Sequence, residues 1–133
     1  MKKRFKILKN GRGIVVFYTV IPLTDFNSTT ENIFKIEEDI YVKVDKRNLN
    51  KESLFYLREG IKKMHPYIKE KRICYDVDVD FDISHYQPEA MYYVFVQWFS
   101  EKYNLSFSEV NFDYFDKKFI FPDLTEISKR INE

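Results

Sequence analysis

Residues 73–83 constrain this chain more than any other stretch. Ile73, Tyr75, Val77, Val79, Phe81 and Ile83 alternate with Cys74, Asp76, Asp78, Asp80 and Asp82. A period of two sends successive side chains to opposite faces of a strand. One face is then apolar and needs cover, while the other carries four carboxylates at alternate positions. Alternate residues on one face lie about 6.7 Å apart. Carboxylates at that distance repel by about 0.6 kcal/mol in bulk water and by about 2.5 kcal/mol at an effective dielectric of 20. The row is cheap only while it stays wet. The chain is therefore predicted to build a sheet with one covered face and one acidic, solvated face.

The flanking segments supply the rest of that sheet and its cover. Residues 3–9 and 14–21 read as a hairpin around Asn10-Gly11, a favoured turn pair. Residues 33–44 read as one strand, with Ile36, Ile40, Val42 and Val44 in alternation. Asn50 is a helix cap, because its side-chain oxygen can accept from a first-turn amide. Leu54, Leu57, Ile61, Met64 and Ile68 follow at helical spacing, and Pro66 limits that helix. Pro88 opens a second helix at its favoured first position. From Ala90 to Tyr103 this helix is apolar almost all round, so it is predicted to be buried. Short strands follow near 105–112 and 117–121. A last amphipathic helix spans Asp123 to Ile131, with Leu124, Ile127 and Ile131 on one side. Strands and helices come in blocks rather than in regular alternation. That favours an α+β fold with a mixed or antiparallel sheet, two main helices and a short C-terminal helix. A chain of 133 residues suits a single domain, 1–133.

Composition removes several function classes. A single cysteine, Cys74, excludes a disulfide within the chain and cysteine-rich zinc sites. Three glycines leave little for Gly-rich phosphate loops, and a net charge of +1 advertises no nucleic-acid or membrane partner. Phe 13 and Tyr 10 stand against Gly 3 and Pro 4, the bias that AT-rich codons produce. The basic start (Lys2, Lys3, Arg4, Lys6, Lys9, Arg12) and the apolar run Ile14–Leu23 have the outline of a secretory signal. The run is too short to span a bilayer, and no small-x-small cleavage site follows it. A cytoplasmic location is expected.

The acidic row allows three readings. It is a solvated outer face balanced by lysines such as Lys35 and Lys43, a docking surface for a basic protein, or a divalent-cation site. Four side chains on one side of a straight strand are too widely spaced to wrap one ion without other ligands. His65 and His85 could serve as an acid–base pair, and Cys74 with His85 as nucleophile and base. Carboxylates beside Cys74 would raise its pKa, which is wrong for a nucleophile. The basic cluster from Lys2 to Arg12 reads as a solvated strand face or a phosphate-binding one. Tyr92, Tyr93, Phe95, Trp98 and Phe99 read as core, whereas Phe112, Tyr114, Phe115, Phe119 and Phe121 read partly as an exposed edge patch.

Two resemblances follow from these residues. In element order alone, the β-α-β-α stretch from 33 to 103 resembles the split arrangement of the fourth domain of elongation factor G. As a small single domain with AT-rich coding, a concentrated acidic face (Asp76 to Asp82) and no catalytic constellation, the chain resembles bacterial immunity proteins that neutralise polymorphic or contact-dependent toxins. That second resemblance implies a non-enzymatic inhibitor with a cognate, basic, nuclease-type toxin as its partner. Asp76, Asp78, Asp80, Asp82, Glu37 and Glu38 would meet the toxin's basic active-site cleft and occlude it, with aromatic residues as anchors. It implies no cofactor, no metal and no membrane. The alternative is an RNA- or ribosome-associated domain that binds through its basic N-terminal hairpin, with an affinity that falls steeply with salt.

Overall fold

Period-two patterning produces five strands that join in one sheet, and two helices cover one side of it. A computed structural model describes residues 2–9, 12–45, 47, 49–105, 111–113 and 118–120. In chain order the strands are β1 (Lys3–Lys9), β2 (Arg12–Leu23), β3 (Ile33–Glu37), β4 (Ile40–Lys43), β5 (Ile73–Asp80), β6 (Asn111–Asp113) and β7 (Lys118–Ile120). The helices are α1 (Lys51–Met64) and α2 (Ala90–Tyr103). The sheet order is β1-β2-β5-β4-β3, and β6 pairs with β7 in a separate two-stranded ladder. β4 and β5 are parallel and the other neighbours antiparallel. A parallel pair needs a crossover, and α1 provides it between β4 and β5. The expected α+β architecture with a mixed sheet and two main helices is what the chain adopts.

Side-chain contacts identify the covered face. Tyr75 of β5 meets Phe95 and Trp98 of α2 edge-on, with ring centroids 4.9 and 5.8 Å apart. Phe5 of β1 stacks on Tyr93 at 6.2 Å, and Gln97 donates a 2.9 Å hydrogen bond to the Tyr18 hydroxyl of β2. Between sheet and helices lie the core residues Ile14, Val16, Val42, Ile73, Leu57 and Met91, all almost fully buried. Burying one such side chain is worth roughly 1.5–3 kcal/mol.

The two helices are set by a cap and by a glycine. The Asn50 side chain accepts from the Ser53 amide at 2.8 Å, as the cap reading requires. Leu57, Ile61 and Met64 are buried, while Leu54 is partly so and Ile68 lies beyond the helix end. Gly60 faces the α2 backbone: a Cβ there would sit 2.8 Å from the Tyr92 carbonyl oxygen. A glycine costs about 1 kcal/mol inside a helix relative to alanine. Here its missing side chain lets the two helices touch. α2 is buried nearly all round from Ala90 to Phe99. It begins at Ala90, two residues after Pro88, through a tighter turn in which Ala90, Met91 and Tyr92 donate to the carbonyls of Gln87, Pro88 and Glu89. It ends at Asn104 in the left-handed region, φ 56°.

Two expectations change. Residues 33–44 form a hairpin, not one strand. β3 and β4 turn at Glu38-Asp39, with Asp39 at φ 64°. Aspartate tolerates that region better than most side chains, so a turn forms without glycine or proline. β5 stops at Asp80 rather than at residue 83. The Asp82 side chain accepts from the Ser84 amide and hydroxyl and caps a 3-10 turn at Ile83–His85. The helix expected over 123–131 lies outside the described residues, as does the turn at Asn10-Gly11. No helix among the described residues is long and apolar enough to cross a membrane.

Candidate functional site

The face turned away from the helices carries the exposed chemistry. Strand alternation assigns to it Lys2, Arg4 and Lys6 on and just before β1, Val15, Phe17, Thr19 and Ile21 on β2, and Asp76, Asp78 and Asp80 on β5. Tyr41 and Lys43 of β4 share this face. The register aligns these residues in columns. Arg4 pairs with Phe17 and Phe17 with Asp80; Thr19 pairs with Asp78; Ile21 pairs with Asp76, and Asp76 with Lys43. The result is three adjacent stripes, basic on β1, mostly apolar on β2 and acidic on β5.

The acidic stripe is open. Asp78 and Asp80 are exposed and Asp76 is half-buried. Among the described residues none of the three takes part in a side-chain hydrogen bond or an ion pair. The lysines that could have neutralised them do not. Lys35 is 3.0 Å from Glu38, and Lys43 stands beside Asp76 in register without an ion pair. The neighbouring apolar stripe is also open, with Phe17 39% and Ile21 52% exposed. The Lys2 ammonium lies 5.6 Å from the Phe17 ring centre. An open depression of about 630 Å³ at one end of the β2–β5 pair is lined by Lys6, Phe17, Asp80, Phe81 and His85. A second, of about 380 Å³ at the other end, is lined by Thr19, Ile21, Lys43, Asp76 and Asp78. No group of three His, Cys, Asp or Glu side chains among the described residues is placed to hold a metal ion.

The other candidates are dispersed. Asp82 leaves the strand but stays at the rim of the larger depression. Its carboxyl is held below the usual range by the Ser84 amide and hydroxyl. Glu37 and Glu38 lie on β3 and its turn, with β4 between them and β5, so the fold does not bring them to the acidic row. Glu37 pairs with His65, and Glu38 with Lys35. His65 thus sits at the β3 end of α1, while His85 follows the far end of β5. The register puts them at opposite ends of that strand, roughly 23 Å apart, too far for an acid–base pair. His85 Nδ1 is 3.1 Å from Ser84 Oγ.

Cys74 shares the acidic face by alternation yet is fully buried. At this end of the sheet Phe26 packs edge-on against Tyr41 at 5.3 Å, and the Arg72 guanidinium lies 3.9 Å from the Phe26 ring centre. Burial, with a smaller push from Asp76, raises the thiol pKa to about 11. The expected direction holds, although burial outweighs the neighbouring carboxylate. The thiol is covered and a strand's length from His85, so the fold does not bring these two side chains together.

The exposed stripe on β2 was hidden in the sequence inside the run Ile14–Leu23, which reads as a nearly unbroken apolar run. The odd positions of that run are its wet side, a distinction that only pairing with β5 makes visible. Comparisons with protein-family models, with curated proteins and with solved structures found no match, so the reading of this face rests on its own geometry.

Proposed function

We propose that this protein is a non-enzymatic, protein-binding inhibitor of the immunity type, which covers the basic cleft of a nuclease-type toxin with its open sheet face. The observation that carries the reading is the row Asp76, Asp78 and Asp80, without ion-pair partners among the described residues and set in register beside exposed Phe17 and Ile21. Such a row steers a cationic partner by long-range attraction. Apolar side chains at the centre of the contact supply most of the binding energy, at about 2 kcal/mol or more for each true anchor. The cleft of a nuclease is cationic because it holds phosphates, so it fits an acidic stripe with an apolar flank. Inhibition follows from exclusion of substrate and needs no cofactor. Glu37 and Glu38 fall outside this footprint, and Asp82 contributes at its rim. The cytoplasm is the proposed site of action.

The test uses tagged protein expressed in its native host, with nuclease-treated extract. The wild type is expected to retain one basic polypeptide whose nucleic-acid cleavage stops on equimolar addition of the inhibitor. Asp78→Asn with Asp80→Asn, and separately Phe17→Ser, are expected to lose that polypeptide by a factor of ten or more. Equal retention by the double variant sinks the reading. So does salt-sensitive RNA binding by the wild type that depends on Arg4 and Lys6, the signature of a nucleic-acid-binding hairpin.

A further inference from the structure

The same face is complementary to itself. We infer that two copies of this chain pack face to face through β1, β2 and β5 about a two-fold axis running along β2. The stripes are ordered basic, apolar, acidic, with the apolar one in the middle. A half-turn about an axis parallel to β2 lays each β2 on its mate and each β1 on the other copy's β5. The contact is isologous, as closed dimers require.

The match extends to single positions. Phe17 is the register partner of both Arg4 and Asp80, so all three share one column. The half-turn keeps each column over itself and therefore sets Arg4 of one copy over Asp80 of the other. One column along, Lys2 precedes β1 and falls over the column of Thr19 and Asp78. Lys6, paired with Val15, falls past the end of β5, beside the rim of the depression that Asp82 shares after leaving the strand. Each ion pair occurs twice. Phe17 and Ile21 meet their own images along the centre and lose their exposure.

Charge also excludes the other face-to-face arrangement. A two-fold axis running across the strands would put β1 on β1 and β5 on β5, cation on cation and carboxylate on carboxylate. Only the axis along β2 avoids this. Sheets that stack face to face lie about 10 Å apart, the reach of arginine and lysine side chains toward short carboxylates. Three strands by the length of β5 give a footprint of roughly 15 by 23 Å. This is smaller than the interface of a stable complex, so the dimer is weak, transient and concentration-dependent. The inference does not rest on the inhibitor reading. If both hold, the dimer stores the docking face covered, and a partner must displace the second copy.

Sedimentation of the full chain from about 10 μM to about 1 mM, in low and in high salt, tests the proposal. The wild type is expected to pass from monomer to dimer, with the dimer weakened at high salt. Lys2→Glu with Arg4→Glu reverses the cations set over Asp78 and Asp80, and Asp78→Lys with Asp80→Lys reverses those carboxylates. Each variant alone is expected to weaken the dimer by at least a factor of ten, because every change counts twice across a two-fold axis. An equimolar mixture is expected to form a heterodimer, since every β1–β5 contact is then again between opposite charges. All these changes lie at exposed positions, and an unchanged circular-dichroism spectrum verifies the fold. A wild type that stays monomeric throughout overturns the inference. Variants that dimerise like the wild type, or a mixture that forms no heterodimer, overturn it equally.

Discussion

β5 has two sides, and they obey different rules. Toward the helices, Tyr75, Val77 and Val79 are buried, and Tyr75 sits under the rings of Phe95 and Trp98. Toward solvent, Asp76, Asp78 and Asp80 stand at alternate positions without ion-pair partners among the described residues. The same backbone serves both sides, so the contrast isolates what side chains contribute. The covered side holds the fold and tolerates little change in volume. The open side contributes little to stability and can be spent on recognition.

Removing volume from the covered side is expected to have the largest effect. Phe95 is fully buried and touches Tyr75, Trp98 and Phe99. Phe95→Ala is expected to cost about 3–5 kcal/mol by urea denaturation, a large part of the stability of a domain this size. A loss under about 1 kcal/mol would mean that the helix layer is loosely packed and the contrast overstated.

Alkaline pH attacks the covered side through its phenols. Tyr18, Tyr56 and Tyr75 are almost fully buried, and burial is the first cause of their raised pKa values. Tyr56 is pushed up to about 12 from 10.0. The unfolded phenols ionise first, so between these values the native state binds more protons than the unfolded state. Stability is then full below pH 10 and falls as pH rises toward the folded values. Three phenols together lose up to about 4 kcal/mol by pH 11. A urea midpoint that stays level from pH 9 to 11 would contradict this burial.

Gly60 probes the seam between the helices. Gly60→Ala gains about 1 kcal/mol of helix propensity. It also places a methyl group 2.8 Å from the Tyr92 carbonyl oxygen, a clash with backbone that no rotamer change relieves. The expected net loss is about 1–3 kcal/mol by the same denaturation measurement. Stabilisation would show that the helices move apart at no cost.

What could be read from sequence follows the range of the interactions. The Asn50 cap and the alternation of β5 are local and legible, since each depends on residues within a few positions. The turn at Glu38-Asp39 was not, because aspartate at φ 64° forms it without the usual glycine or proline. The early end of β5 was hidden because Asp82 looks like another member of the row until Ser84 claims it. The role of Gly60 has no local signal, because only the α2 backbone across the seam gives it a purpose. The three stripes required the strand order, because β1 and β5 are far apart in sequence and become related only through β2. Three of the four carboxylates were placed correctly on one strand face, while Glu37 and Glu38 required knowledge that β4 intervenes.

The smallest effect is expected where the chemistry is most exposed. Asp78→Asn with Asp80→Asn removes two like charges about 6.7 Å apart on a wet strand. Neither carboxylate has an ion pair or side-chain hydrogen bond among the described residues, so the change breaks none. Repulsion between them in high dielectric is worth about 0.6 kcal/mol. Its loss is expected to shift stability by less than about 0.5 kcal/mol, toward stabilisation. Measured beside Phe95→Ala, the covered and open sides of β5 are then expected to differ in sign as well as size, a loss of about 3–5 kcal/mol under the helices against a gain below about 0.5 kcal/mol in solvent. A double variant that loses about 2 kcal/mol or more would mean that these carboxylates serve the chain's own structure. The open face would then have no charge to spare for any partner, including a second copy of itself.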